Sequence, residues 1–174
     1  MKFKTEYEMS ESFQEFINQN FNRDNIYISK EQKGLFGIPD FILIDTFKNN
    51  INEIISIELK LKNWQRALTQ AFRYKSFSNI SYVIMDEGFI APAIKNLDEF
   101  KHFNIGLGSF NANLELVTYF NPKFSNPFSL EKYIPVIESI IQDESEIGSR
   151  LSYIEELADN FLSTRLSNFE ISFS

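Results

Sequence analysis

Apolar and polar residues follow two different periods along the first 120 residues, and each period predicts one type of element. Phe13, Phe16, Ile17 and Phe21 recur at helical spacing behind Ser10, a residue type that caps helices. Alternation with a period of two, or a short continuous apolar run, predicts strands. The predicted elements are a helix at 10–21, strands at 25–32, 38–45 and 52–61, a helix at 63–77, a strand at 81–86, a helix at 91–103 and strands at 105–109 and 114–120.

The order of these elements predicts an α/β fold with a mixed central sheet flanked by helices. Short turns join the first three strands, so those strands are expected to pair antiparallel. A helix separates the third and fourth strands, which indicates a crossover connection and a parallel pair. The last two strands, joined at 111–113, are expected to form a hairpin at the edge of the sheet.

A change in composition after Pro127 predicts a C-terminal helical extension at 128–174, following a domain at 1–127. The extension is read as two helices, at 130–142 and 146–161. From Glu131 onward it holds nine acidic and three basic residues, so it carries −6 of the net charge of −7. Its apolar positions are expected to form the surface of a homodimer or a larger complex, or alternatively to pack on the chain's own core. These positions are Tyr133, Ile134, Val136, Ile137, Ile140 and Ile141.

The absence of cysteine and the single histidine exclude several kinds of active site. Disulfides, thiolate zinc sites and cysteine nucleophiles need cysteine, and a multi-histidine metal site needs more than His102. His102 itself is expected to be a surface helix residue. The first residues lack the apolar segment of a signal peptide, and no run is long enough to span a membrane. A cytoplasmic protein without membrane contact is therefore expected.

Charged residues in the third strand provide the first indication of chemistry. Ser56, Glu58 and Lys60 share one face of this strand, while the intervening isoleucine and leucine residues face the other way. One interpretation is a solvent-exposed sheet face on which Glu58 and Lys60 pair at little cost. Asp40, after Pro39 at the start of the preceding strand, favours a second interpretation. Two neighbouring carboxylates bind Mg²⁺ with room for water and a phosphate oxygen, and an adjacent amine can orient water and offset charge.

The following helix adds polar and basic side chains. Gln70 and Tyr74, spaced i and i+4, share a flank of the helix with Asn63, its expected N-cap. The segment 58–75 holds five basic residues and one acid, in an otherwise acidic protein. A nucleic-acid backbone is the predicted partner of this cluster, and a solvated helix face is the alternative. The predicted nucleic-acid contacts are Lys62, Arg66, Arg73 and Lys75.

Three short motifs in this region together resemble the PD-(D/E)XK nuclease superfamily, especially its RecB-like branch with a Q-x-x-x-Y helix. They are Gly37-Ile-Pro-Asp40, Ile57-Glu58-Leu-Lys60 and Gln70-x-x-x-Tyr74. The resemblance covers about residues 8–120 and implies an αβββαβ nuclease core at 1–127. It implies that Asp40, Glu58 and the Leu59 carbonyl hold Mg²⁺, with Mn²⁺ able to substitute. It further implies that Lys60 positions the attacking water and that Gln70 and Tyr74 steady water, metal or phosphate.

The resemblance also implies a further acid in the first helix and a function. Glu11 is the first choice for this acid and Glu8 the second, although either residue could equally be a solvated helix residue. The implied activity is metal-dependent hydrolysis of DNA, in defence, repair or recombination. Two alternatives stay open: a catalytically silent binding module of the same fold, and a nuclease subunit active only in a larger complex.

Overall fold

The computed structural model describes residues 2–21, 25–30, 37, 39–47, 50–129, 131–133 and 135–136. Its helices are α1 (Glu6–Phe21), α2 (Trp64–Tyr74), α3 (Ala91–Lys95) and α4 (Leu97–Phe103). Its strands are β1 (Ile26–Lys30), β2 (Phe41–Phe47), β3 (Asn50–Lys60), β4 (Ile80–Asp86), β5 (Gly106–Phe110) and β6 (Leu116–Phe120). No helix in these described ranges is long and apolar enough to cross a membrane.

The six strands form one mixed sheet in the order β1-β2-β3-β4-β5-β6. β1, β2 and β3 pair antiparallel, β3, β4 and β5 pair parallel, and β6 returns antiparallel at the edge. The two parallel pairs arise because helices connect their strands and return the chain to the same end of the sheet. The predicted α/β architecture, strand pairing and edge hairpin are thus confirmed.

Helices cover both faces of this sheet, so the central strands are buried on both sides. Ile57 and Leu59 of β3 pack in one apolar cluster with Phe13 and Ile17 of α1. Ile54, which alternates with them, packs on the opposite face in a cluster with Tyr74 of α2. Glu58 lies on that second face and is only 2% exposed. The interpretation of Glu58 as one half of an exposed surface pair is therefore wrong.

Helix α1 begins four residues earlier than predicted, because its N-cap is Thr5 and not Ser10. The Thr5 hydroxyl accepts a hydrogen bond from the Glu8 N–H at 3.0 Å, and the Glu8 carboxylate accepts one from the Lys4 N–H at 2.9 Å. This arrangement resembles a capping box, and it satisfies one N–H of the first helical turn and the N–H of the residue before the cap. Ser10 is instead buried inside the helix, and its hydroxyl has no hydrogen-bond partner in the described part of the chain.

The predicted helix at 91–103 consists of two pieces, α3 and α4, separated at Asn96. The Asn96 side chain donates to the Pro92 carbonyl at 2.8 Å, and its backbone leaves helical geometry with φ −113° and ψ 29°. Asparagine side chains compete in this way with the helical hydrogen bonds of the main chain. His102 is exposed on α4, as expected.

The beginning of the predicted extension packs on the sheet domain. The N–H groups of Phe128 and Ser129 donate to the carbonyls of Lys75 and Ser76, and the described positions from 131 to 136 are helical. Tyr133 and Val136 are buried in the cluster that contains Ile54 and Tyr74. These two side chains therefore pack on the chain's own core. Residue Ile134 and residues 137–174, which include the predicted helix at 146–161, lie outside the described residues.

Candidate functional site

Asp40 and Glu58 are neighbours because they occupy opposing positions one residue beyond the end of the paired β2–β3 ladder. The last pair in the register is Phe41 with Ile57, so Asp40 stands opposite Glu58 just beyond it. Pro39, which has no N–H, precedes this end. The Asp40 carboxylate accepts the Leu59 N–H at 2.6 Å, in the place of a main-chain carbonyl. Since the N–H and C=O of one strand residue point to the same side, the Leu59 carbonyl also points toward Asp40.

Gly37 brings the turn before Asp40 against Tyr74. Its φ of +133° favours glycine, and a Cβ at this position would lie 3.3 Å from the Tyr74 ring and 3.6 Å from its hydroxyl oxygen. The first and last residues of the Gly-Ile-Pro-Asp motif therefore contact different parts of the site. Gly37 contacts Tyr74, and Asp40 contacts β3.

Glu58 is held by two donors that satisfy both of its oxygens. The Tyr74 hydroxyl donates to Oε2 at 2.8 Å, and the Lys60 ammonium lies 3.0 Å from Oε1. Burial raises the pKa of Glu58, although Lys60 and Tyr74 oppose that effect. A buried carboxylate is tolerated when charge-assisted hydrogen bonds of this kind surround it.

The other two charged groups are coupled to Glu58. Burial, followed by the charge of Glu58, raises the pKa of Asp40 to about 7, against the Leu59 hydrogen bond and the Lys60 charge. Burial by itself would lower the pKa of Lys60, but Glu58 and nearby carboxylates raise it. Lys60 therefore stays a cation between carboxylates, and the charge of Asp40 changes near neutral pH.

Tyr74 and Gln70 of α2 complete the surroundings of Glu58. Burial, the charge of Glu58 and its hydrogen bond raise the pKa of Tyr74, so its hydroxyl remains a donor. Gln70 hydrogen-bonds to Tyr74, while the Gln70 Oε1 atom is buried and has no partner in the described part of the chain. The Q-x-x-x-Y spacing thus brings Tyr74 to the buried carboxylate of Glu58 and Gln70 to Tyr74.

The acid of α1 that reaches the site is Glu6, not Glu11 or Glu8. The Glu6 carboxylate lies 3.4 Å from the Lys60 ammonium and accepts the Leu61 N–H at 3.5 Å. Glu11 pairs with Lys30 of β1 at the surface, and Glu8 caps α1. The reason is the early start of α1, which places Glu6 in its first turn at the end of β3. The Thr5-x-x-Glu8 spacing is the sequence signal that identifies this start.

The donor set at this position fits a magnesium ion held mainly through water. Among the described residues no three His, Cys, Asp or Glu side chains are grouped closely enough to hold a metal by themselves. Asp40 and Glu58 supply two carboxylates, and the Leu59 carbonyl supplies a third oxygen on the same side. Mg²⁺ is typically bound through one or two carboxylates and keeps several waters.

The basic residues near the site divide into exposed and buried groups. Lys62, Arg66 and Arg73 are exposed, and Asn63 caps α2 as predicted by accepting the Arg66 N–H at 3.1 Å. Lys75 is only 6% exposed, and its ammonium donates to the Phe103 carbonyl at 3.2 Å. Burial also lowers the pKa of Lys75. Its position therefore does not suit the predicted contact with a phosphate backbone.

Comparison with known proteins supports the fold and is silent on function. No family model matches the sequence, and no curated protein matches it. A solved structure described as the SPO1766 protein of unknown function from Silicibacter pomeroyi is similar, with a TM-score of 0.52 and 13% sequence identity. The match covers 73% of this chain and 80% of that one. At this identity the similarity shows a shared fold alone.

Proposed function

We propose that this chain is a metal-dependent nuclease that hydrolyses phosphodiester bonds in DNA, as a member of the PD-(D/E)XK nuclease superfamily in its RecB-like branch. The observation that carries the proposal is a buried Glu58 beside Asp40 and Lys60, just beyond the end of the β2–β3 ladder, where the Leu59 carbonyl has no strand partner from β2. A cytoplasmic role in defence, repair or recombination remains part of this proposal.

The roles of the residues follow from their contacts. Asp40, Glu58 and the Leu59 carbonyl would hold Mg²⁺, for which Mn²⁺ is able to substitute. When bound, the ion supplies the Lewis acidity that polarises the phosphoryl group. The Lys60 ammonium donates to the attacking water and offsets charge that develops on the phosphate. Tyr74 holds Glu58 through its hydroxyl, and Gln70 holds Tyr74, so both act as positioning residues.

The energetic cost of this arrangement supports a functional role. Replacing a buried ion pair by apolar residues of similar volume is often neutral or stabilising, so stability alone does not explain Glu58 and Lys60 on a buried strand. Burial and the charge of Glu58 also raise the pKa of Asp40, which means that ionised Asp40 is unfavourable in the metal-free protein. A divalent cation would relieve that repulsion.

Cleavage assays on linear, circular and single-stranded DNA, with Mg²⁺, Mn²⁺ or EDTA, test the proposal. Asp40→Ala, Glu58→Ala and Lys60→Ala are each expected to lower the rate at least about 100-fold in protein that a melting curve shows to be folded, because each removes a group that acts on the reacting phosphate. Glu15→Gln is the matched control, since Glu15 is an exposed acid of α1 whose carboxylate accepts a hydrogen bond from Gln19. If Glu15→Gln lowered the cleavage rate as much as the other three variants, the assignment of Asp40, Glu58 and Lys60 to the active site would be contradicted.

Thermal melting with and without millimolar Mn²⁺ provides a second readout that does not depend on cleavage. Metal bound only by the folded chain raises its melting temperature by mass action. Asp40→Ala and Glu58→Ala are each expected to abolish that rise. In metal-free buffer, Asp40→Ala should leave the stability unchanged or slightly higher. Glu58→Ala should lower it, because it removes the acceptor of the Tyr74 hydroxyl and a carboxylate partner of Lys60. A native protein with neither a metal-linked shift nor metal-dependent cleavage would overturn the nuclease proposal in favour of a binding module.

A further inference from the structure

Two lysines share one aromatic ring beside the candidate site. The Lys2 ammonium lies 4.4 Å from the centre of the Phe89 ring, and the Lys62 ammonium lies 4.5 Å from the same centre. Phe89 ends a 3₁₀ turn, Glu87–Phe89, that directly follows β4. The three side chains therefore come from the N-terminal segment, the end of β3 and the end of β4.

Asp86, the last residue of β4, holds this group together. Its buried carboxylate accepts the Phe3 N–H at 2.7 Å and the Gly88 N–H at 2.6 Å. One side chain thus fixes both the N-terminal segment and the turn that carries Phe89. Gly88 leaves room for the lysine stem, since a Cβ there would lie 2.4–2.7 Å from the Cε, Cγ and Cδ atoms of Lys2.

Neither ammonium has an acidic partner among the residues that the structure describes. In the described part of the chain no carboxylate lies within salt-bridge distance of Lys2 or Lys62, whereas Lys30 pairs with Glu11 and Lys60 pairs with Glu58 and Glu6. Both lysines are exposed. A cation–π contact orients an ammonium without consuming its three N–H donors, so both groups are held in place and remain able to bind an anion.

This group lies at the same end of the sheet as the candidate site. β3 and β4 run parallel, with Lys60 paired to Met85, so Lys62 and Phe89 both follow the carboxyl ends of these strands. Glu6, four residues after Lys2, contacts Lys60. Asp40 approaches Glu58 from the β2 side, whereas Lys2 and Phe89 lie on the β4 side.

We propose that Lys2 and Lys62, held by Phe89, form a phosphate clamp for the backbone of the nucleic acid that the candidate site cleaves. The clamp would contact a phosphate that neighbours the scissile one. The nucleic-acid strand would then cross the carboxyl ends of the parallel β-strands from the β2 side to the β4 side. This inference rests on the proposed nuclease function, and the experiment below separates the two.

The test measures binding of a fluorescently labelled DNA duplex by anisotropy, in EDTA and at several salt concentrations. Each phosphate contact contributes about 0.9 to the slope of log affinity against log salt. Lys2→Ala and Lys62→Ala are each expected to reduce the slope by about 0.9, and the double variant by about 1.8, with affinity about 5- to 10-fold lower per lysine at ~0.1 M salt. Lys123→Ala is the matched control. Lys123 is an exposed lysine after β6, at the opposite end of the sheet, where Leu107 pairs with Phe120.

Gly88→Ala tests position separately from charge. The added methyl group occupies the space of the Lys2 stem and displaces it from Phe89 without changing the net charge. The Gly88 N–H to Asp86 is retained, so we expect the fold to be kept and the affinity to fall about as much as in Lys2→Ala. Native affinity in Gly88→Ala, with the same melting temperature, would contradict the assigned position of Lys2.

The outcomes for the clamp and for the nuclease are distinct. If the double variant keeps the native salt slope while the native protein cleaves DNA, the clamp is wrong and the nuclease proposal stands. If binding depends on Lys2 and Lys62 but no metal supports cleavage, the clamp stands as a backbone-binding surface and the nuclease proposal falls. If the native protein binds no DNA, the clamp is wrong.

Discussion

At the scale of single residues, the contacts of Glu58 define the candidate chemistry. Its two oxygens are held by Tyr74 and Lys60, and Asp40 stands opposite it where the β2–β3 ladder ends. A carboxylate this deeply buried is stable only while those donors are present, because an uncompensated buried charge is strongly destabilising. Burial and the charge of Glu58 also raise the pKa of Asp40 to about 7.

Asp40→Asn is expected to change how the stability of the metal-free protein depends on pH. Burial and Glu58 raise the pKa of Asp40 to about 7 in the folded chain, whereas an unfolded aspartate ionises near pH ~3.9. Between these values the folded state binds more protons, so the native protein loses stability as pH rises from about 4 to about 7. Asn keeps an acceptor for the Leu59 N–H without that loss.

The variant should therefore gain stability relative to the native chain as pH rises, by up to about 4 kcal/mol at pH ~8. Urea unfolding in EDTA at a series of pH values measures this difference. Parallel stability profiles for the two proteins between pH ~4 and ~8 would contradict the raised pKa of Asp40.

Glu6 and Glu11 provide a paired prediction about the acid of α1. Glu6→Gln is expected to lower the cleavage rate by about 10-fold or more, because the Lys60 ammonium and the Leu61 N–H lose a charged acceptor. Glu11→Gln removes a surface pair with Lys30, so it should cost at most about 1 kcal/mol of stability and leave cleavage unchanged. Steady-state cleavage and melting of both variants check this prediction. A larger loss of cleavage in Glu11→Gln than in Glu6→Gln would restore the sequence-based choice of Glu11.

At the scale of elements, the start of α1 determines which acid faces Lys60. The Thr5 hydroxyl and the Glu8 carboxylate cap the helix and place Glu6 in its first turn. The break at Asn96 has a comparable local cause, since its side chain takes the place of a helical hydrogen bond. Both corrections to the predicted helices come from side-chain hydrogen bonds to the backbone.

Thr5→Ala and Ser10→Ala are expected to have opposite effects on stability. Removing the Thr5 cap should cost about 1 kcal/mol, since a helix N–H loses its acceptor. Ser10→Ala removes a buried hydroxyl without a partner in the described part of the chain, so it should be neutral or stabilising by up to about 1 kcal/mol. Urea unfolding of both variants measures the difference. A larger loss for Ser10→Ala would mean that Ser10 is the true cap.

At the scale of the whole molecule, the first turns after Pro127 belong to the packed sheet domain. Tyr133 and Val136 fill the cluster on the α2 face, directly beside the Tyr74 that holds Glu58. The predicted association surface therefore loses two of its six apolar members to the chain's own core. A homodimer or larger complex through the remaining residues of 128–174 stays a prediction.

Tyr133→Ala is expected to destabilise the protein by about 3 kcal/mol or more, because it leaves a cavity beneath Tyr74 and Phe77. Tyr7→Ala is the matched control, as Tyr7 is 70% exposed and should change stability by no more than about 0.5 kcal/mol. Thermal unfolding of the two variants tests this contribution. Equal melting temperatures would show that the segment after Pro127 adds nothing to the sheet domain.

The sequence by itself determined the order of elements, the strand pairing and the group formed by Asp40, Glu58, Lys60 and Tyr74. These features follow from residues that are close together in the sequence. A period of two in strands or 3.6 in helices assigns each side chain to a face, and a single turn-forming residue ends a strand. Tertiary structure decided the burial of Glu58 and Lys75, the choice of Glu6 over Glu11, and the meeting of Lys2, Lys62 and Phe89. Those features join residues far apart in the chain, and burial depends on which distant elements cover a position, which no local pattern contains.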